Sequence, residues 1–201
     1  MSAQCLTSNQ IIEIQGLRKF EKNEKDEVLK FLKSCDLNID DFLVKENIDS
    51  KTNPYKIITF HKGEDEEKVE FNLLDESNGI QKLFSLATPV INALKDGKVL
   101  LVDSLSTNLH PKLAKFLVTL FNKKDLNPKN AQIIFTTHET SLLSSKIFRR
   151  EQVWFCEKNQ EDASILYPLS EFKPKIDHEN FELGYLSGRY GALPFIDFDE
   201  A

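Results

Sequence analysis

Residues 98–111 read Lys-Val-Leu-Leu-Val-Asp-Ser-Leu-Ser-Thr-Asn-Leu-His-Pro (KVLLVDSLSTNLHP). The run from Val99 to Val102 is apolar without in–out alternation. That pattern suits a strand buried on both faces of a parallel sheet. The strand ends in an acid, Asp103. Pro111 then suits the first position of a helix, expected to run to about Phe121.

The pattern extends outward in both directions. Upstream, Ser77 can cap a helix reaching about Lys95, with Ile80, Leu83, Phe84, Ala87, Val90, Ile91 and Leu94 along one face. Pro89 is expected to kink it, and Gly97 to end it. Downstream, AQIIFTTH (131–138) reads as a second buried strand, and Ser141 to Ile147 as a short helical piece. QVWFCEK (152–158) and ASILYPL (163–169) read as two further strands that are expected to pair. From 77 to 155 helix and strand alternate, which implies an α/β layer with a parallel sheet. Residues 1–70 are charge-rich and less clearly patterned. They offer a helix over Glu27–Cys35 and a hairpin of Tyr55–Phe60 with Lys68–Leu73, with Val69, Phe71 and Leu73 facing inward. The expected organisation is a small N-terminal α+β, β-rich subdomain (1–70) followed by an α/β region (71–201).

Composition narrows the function classes. The chain has 201 residues, 40% of them hydrophobic, and a net charge of −6. A free-standing nucleic-acid binder usually carries a basic excess, so contact with nucleic acid is expected only through a complex. Cys5, Cys35 and Cys156 are widely spaced and form no CxxC pair, which argues against a zinc or disulfide framework and for reduced thiols in the cytoplasm. The opening MSAQCLTSNQ lacks a signal-peptide pattern, and no stretch approaches the ~18 apolar residues of a membrane span.

Three positions carry chemistry. Asp103 ends a strand, where α/β sheets bind ligands, and a carboxylate there can hold Mg²⁺ through its water shell. The bland alternative is a solvated strand end. His138, at the tip of the second strand, can contact a terminal phosphate, although a lone His after a strand is more often structural. Ser77, Asn78 and Gly79 open a helix whose N–H groups and dipole favour an anion, although a Ser there is usually only a cap.

In that order these motifs resemble the C-terminal part of ABC-type ATPases, in the chromosome-maintenance-like and abortive-infection-associated branch of the AAA families. Ser77 and Gly79 match the signature that opens a helix. Asp103 matches the Walker B acid, Leu109-His110-Pro111 the L-H-P after the D-loop, and His138 the switch histidine. The tail GYLSGRYGALPFI (184–196) is similar to the end of abortive-infection ATPases. The resemblance covers roughly residues 70–196. It implies a P-loop-NTPase-like half-domain, ATP and Mg²⁺ as cofactors, and Asp103 and His138 as catalytic-side residues. It also implies a site shared between two lobes, where the phosphate loop of one faces the signature of the other.

The chain departs from that family in telling places. No G-x-x-x-x-G-K-[ST] occurs among its seven glycines. Ser104 stands where a Glu usually follows the Walker B Asp, and a hydroxyl is a poor general base near neutral pH. The D-loop pattern is altered at Ser106, Thr107 and Asn108, and Ile80 follows the signature Gly. Three readings stay open. The chain is a cut piece of a longer ATPase, a companion that completes the site of a Walker A-bearing subunit (or pairs as a homodimer), or a catalytically dead interaction module. The opening Met and the orderly first 70 residues favour the latter two. A Ser/His/Asp hydrolase built on Ser104, His138 and Asp103 is disfavoured, because Asp103 and Ser104 are adjacent and no G-x-S-x-G is present. A metal hydrolase on Asp103, His138 and Glu139 has no supporting spacing. Arg149, Arg150 and Arg189 could meet phosphate but read more simply as surface arginines, and Trp154 and Phe155 read as core.

Overall fold

A computed structural model describes residues 22–46, 55–63, 65–173 and 180–194, together with the backbone of residues 3–6. The described chain is mixed α/β, with one small parallel sheet and two antiparallel ones. It divides into two compact units, 1–138 and 139–201.

The parallel sheet belongs to the first unit. Its middle strand, β5 (Val99–Val102), is the apolar run of the motif. It pairs with β6 (Gln132–Phe135) on one side and with β1 (Ala3–Leu6) on the other, both in parallel. The expected parallel sheet is therefore present, but its third strand comes from the N-terminus. The run QVWFCEK, third in the helix–strand alternation, belongs to the second unit and pairs elsewhere. The four residues of β1 carry no pattern long enough to announce a strand.

The helices that flank the motif fall where their end signals place them. α2 (Asn78–Asp96) is capped by the Ser77 hydroxyl and closed by Gly97, whose φ of 69° is the left-handed geometry that glycine tolerates. The helix continues through Pro89. Leu83, Phe84, Leu86, Ala87, Val90 and Ala93 are buried along it. α3 (Pro111–Asn122) starts with Pro111 at its first turn and buries Ala114, Leu117, Val118 and Phe121. After α3, Asn127 is buried and fully used: its amide donates to Phe121 O and Ala131 O, and its Oδ1 accepts from Ala131 N. That bridge fixes the approach to β6.

An antiparallel sheet, β2 (Asp41–Glu46), β3 (Tyr55–Lys62) and β4 (Lys68–Asn72), lies in the same unit, with β3 central. The predicted hairpin is β3–β4. α1 (Lys22–Ser34) buries Val28, Phe31 and Leu32 and packs against α2.

Two burial expectations fail. β6 reads as a buried strand, yet Gln132 is exposed and Ile134 is 59% exposed. Among the described strands β6 is an edge, so an apolar run there need not mean two covered faces. On β4, Val69 and Phe71 are 40% and 43% exposed, because β4 is the outer strand of its sheet. Only Leu73, just beyond it, enters the core.

The second unit pairs β7 (Trp154–Lys158) with β8 (Ser164–Pro168) as an antiparallel ribbon, as expected. Its core joins Val153, Phe155, Leu169, Phe181 and Tyr190, with Phe155 stacked on Tyr185 and Tyr190. α4 (Phe181–Leu186) contributes Phe181. Phe155 is core as expected, but Trp154 points the other way on the ribbon and is 54% exposed. Tail residues 195–196, and the apolar residues just after them, lie outside the described residues. No described helix is long and apolar enough to cross a membrane.

Candidate functional site

The N-terminus of α2 is set by β3, the central strand of the antiparallel sheet. Thr59 on β3 is fully buried and donates to Glu76 Oε1 at 2.6 Å. His61 Nε2 meets the same oxygen at 2.6 Å. Glu76 is thereby fixed against the sheet, and the next residue, Ser77, accepts from Ile80 N at 3.3 Å as the helix cap. Gln81 Nε2 closes the turn by donating to Glu76 O at 2.8 Å. Ser77 and Asn78 remain exposed. Gly79 is pressed against the loop after β5: a Cβ there would lie 2.9 Å from Asn108 O.

That loop, residues 103–110, is held tightly. Leu105 N donates to Thr136 O at 2.9 Å, and Leu105 and Leu109 are buried. Thr107 N donates to Ser104 O, and Leu109 N to Ser106 O. Ser104 adopts φ 54° and Asn108 φ 61°, left-handed geometry that is uncommon outside glycine. His110 Nδ1 accepts from Lys112 N and caps α3. Ser106 Oγ lies 2.7 Å from Thr137 Oγ1.

At the strand end, a compact network surrounds Asp103. Because β5 and β6 pair in parallel with Val102 opposite Phe135, the next residues, Asp103 and Thr136, emerge side by side. Thr136 Oγ1 accepts from Ser104 N at 2.7 Å and donates to Asp103 Oδ1 at 2.6 Å. From below, Lys82 Nζ donates to Ser104 O at 2.5 Å. Lys82 is only 3% exposed. Burial pushes its ammonium below the ordinary lysine range, and the charge of Asp103 acts in the opposite direction.

The sequence singles out Ser77–Gly79, Asp103 and His138 as candidates; the strand-end network also contains Lys82 and Thr136, which it does not single out. The signal for Lys82 was its place on the stripe 82-86-89-93 of α2, otherwise Leu, Pro and Ala, all buried. The signal for Thr136 was its position: first after β6, as Asp103 is first after β5. His138 is exposed, two residues past Thr136, and hydrogen-bonds no described residue. It does not join Asp103 and Ser104 in a hydrogen-bonded triad. Arg150 donates to Leu169 O and Phe172 O, and Arg189 to Lys173 O, so both serve the second unit's own loops.

The profile of the family described as "AAA domain, putative AbiEii toxin, Type IV TA system" matches residues 10–144, more than half of the chain. The chain belongs to this AAA family. The match spans Ser77–Gly79, Asp103 and His138, so the chain is an AAA-family, ATPase-like domain over all three positions. A comparison with curated proteins finds no match.

Mg²⁺ at an AAA site is held through one or two carboxylates, waters and substrate phosphates. The donor set here suits it poorly. One oxygen of Asp103 is already engaged by Thr136, and the buried Lys82 ammonium, held at the carbonyl of the next residue, opposes a further cation. No group of three His, Cys, Asp or Glu residues among those described could hold a metal ion.

Proposed function

We propose that this AAA-family chain is the C-terminal half of an ABC-type lobe and that it acts on nucleotide held by another chain. The observation that carries this reading is the exposed start of α2 at Ser77–Gly79, locked to the Asp103–His110 loop, in a sequence without a phosphate-cradling loop. The first-turn N–H groups of Asn78 and Gly79 have no acceptor within the helix, and the positive end of the dipole of a 19-residue helix lies there. Such an end suits the terminal phosphate of ATP presented from outside. ATP and its Mg²⁺ would arrive on a Walker A-bearing subunit. A homodimer would bring two such helix ends but no phosphate loop. Asp103 and His138 would act as posts that shape the facing surface. By resemblance, the setting is a cytoplasmic prokaryotic defence or DNA-maintenance complex, with nucleic acid reached through partners.

The purified chain is expected to show no ATP turnover. Mg²⁺-dependent turnover that Asp103→Ala abolishes would overturn the reading. With a Walker A-bearing partner, Ser77→Arg should lower the partner's turnover at least tenfold. The second reading, an interaction module without nucleotide, draws support from Trp154 and Leu166, both more than half exposed on the β7–β8 ribbon. It predicts a partner complex whose affinity ignores ATP and whose activity ignores Ser77→Arg.

A further inference from the structure

A lysine buried to 3% exposure must find an acceptor and a counter-charge, because desolvating an ammonium is costly. Lys82 has its acceptor in the Ser104 carbonyl, at 2.5 Å. A carbonyl supplies only a partial charge. The full negative charge nearby is Asp103, on the residue before. Its position is not free: Thr136 Oγ1 ties Asp103 Oδ1 to Ser104 N, and Thr107 N binds the same Ser104 oxygen that receives Lys82. Carboxylate and carbonyl thus belong to one small turn, with Ser104 in left-handed geometry at its centre, and the ammonium reaches that turn from α2 through the Ser104 carbonyl, within the field of the Asp103 charge.

We infer that Lys82 is a built-in counter-ion for Asp103, a fixed monovalent cation standing where a divalent one would otherwise neutralise the strand-end acid. The consequence is a site that does not take up Mg²⁺. A divalent ion brought to Asp103 would meet an ammonium that cannot retreat into water, and the single Asp103 charge would have to offset both cations. The strand-end network stays assembled without metal, which keeps the adjoining helix start in shape. Nothing in this assignment requires a partner chain.

The test uses the full chain and Mn²⁺ as the probe, followed by the loss of the free-ion electron paramagnetic resonance signal. The wild-type chain is expected to bind no Mn²⁺ up to millimolar concentrations. Lys82→Gln should bind it at least tenfold more tightly than wild type, and Lys82→Gln/Asp103→Asn should lose that binding. Thermal unfolding supplies an independent readout. Asp103→Asn should lower the midpoint of the wild type and have a much smaller effect in the Lys82→Gln background. Submillimolar Mn²⁺ binding by the wild-type chain that Asp103→Asn removes would overturn the inference. So would equal effects of Asp103→Asn in the two backgrounds. If Lys82→Gln does not fold, the wild-type titration together with the Asp103→Asn midpoint still decides: metal binding, or no loss of stability, refutes it.

Discussion

Gly79 stands where two segments meet, and its missing side chain is what lets them. An added methyl would lie 2.9 Å from the carbonyl oxygen of Asn108, closer than a carbon and an oxygen settle, and the obstacle is backbone rather than a flexible side chain. Asn108 has little room to yield, since it is already left-handed and is followed by buried Leu109. Alanine would gain up to about 1 kcal/mol of helix propensity at an ordinary helical site. The forced shift should outweigh that gain, so Gly79→Ala is expected to lose about 1 kcal/mol in a urea melt, with amide shifts moving at Asn108 and Leu109. A net gain in stability would mean that the helix start and the loop are not locked together. This contact also marks a limit of the sequence. Ser77-Asn78-Gly79 could be read as a cap and a signature, but that its glycine is needed for close packing is a tertiary fact no local pattern carries. The same holds for Lys82, which belongs to the solvent face by residue type and to the core by position.

At the level of elements, helices were legible where their ends carried chemistry. Ser77 and Gly97 bracket α2, and Pro111 opens α3, because capping hydroxyls, left-handed glycines and first-turn prolines act locally. Strands were legible as runs but not in their surroundings. β5 and β6 read alike, yet among the described strands one is central and the other an edge, and this depends on what pairs beside them. β1 and β2 are not legible in the sequence, because four and six residues of mixed character give no period. The junction after α1 offers a check on burial. Cys35, just past the helix, is buried, and burial pushes its thiol up to about 11, with the Ser34 hydroxyl acting weakly the other way. A thiol raised above its unfolded value contributes stability fully below that value and loses it as pH rises through about 11. At pH 8 the thiolate is only about one part in a thousand, so the group is inert as well as shielded. In a Cys5→Ser chain, Ellman's reagent should therefore titrate one thiol natively, exposed Cys156, and the second only in denaturant. Two thiols reacting at equal rates in the native chain would show that the α1 junction opens readily.

At the scale of the whole molecule, the boundary at 138/139 separates two cores of different make-up. The first is mainly aliphatic around α2, β5 and α3, with phenylalanines set among the aliphatic side chains, Phe42 meeting Phe84 edge to face. The second rests on aromatic rings, with Phe155 stacked on Tyr185 at 5.5 Å and on Tyr190 at 5.6 Å between centroids. Polar ties in the second unit are also internal. Glu157 accepts from Ala192 N, Tyr167 donates to Tyr190 O, and Thr140 donates to Glu182. Burial, chiefly, with the Glu157 charge second, pushes the Tyr167 hydroxyl up to about 12, so it remains a donor throughout the physiological range. Removing a ring from such a core costs about 3–5 kcal/mol, more than a unit of this size can readily lose. Phe155→Ala is expected to abolish hydrogen-exchange protection over residues 153–158 and 164–169. Protection should persist in α2 from Leu83 to Ala93 and in β5, which belong to the other unit. If protection in α2 falls with that of the ribbon, the two units unfold as one, and the site around Asp103 depends on residues beyond 138 for its stability. If it holds, the Ser77–Gly79 helix start and the Lys82–Asp103 network belong to the first unit alone.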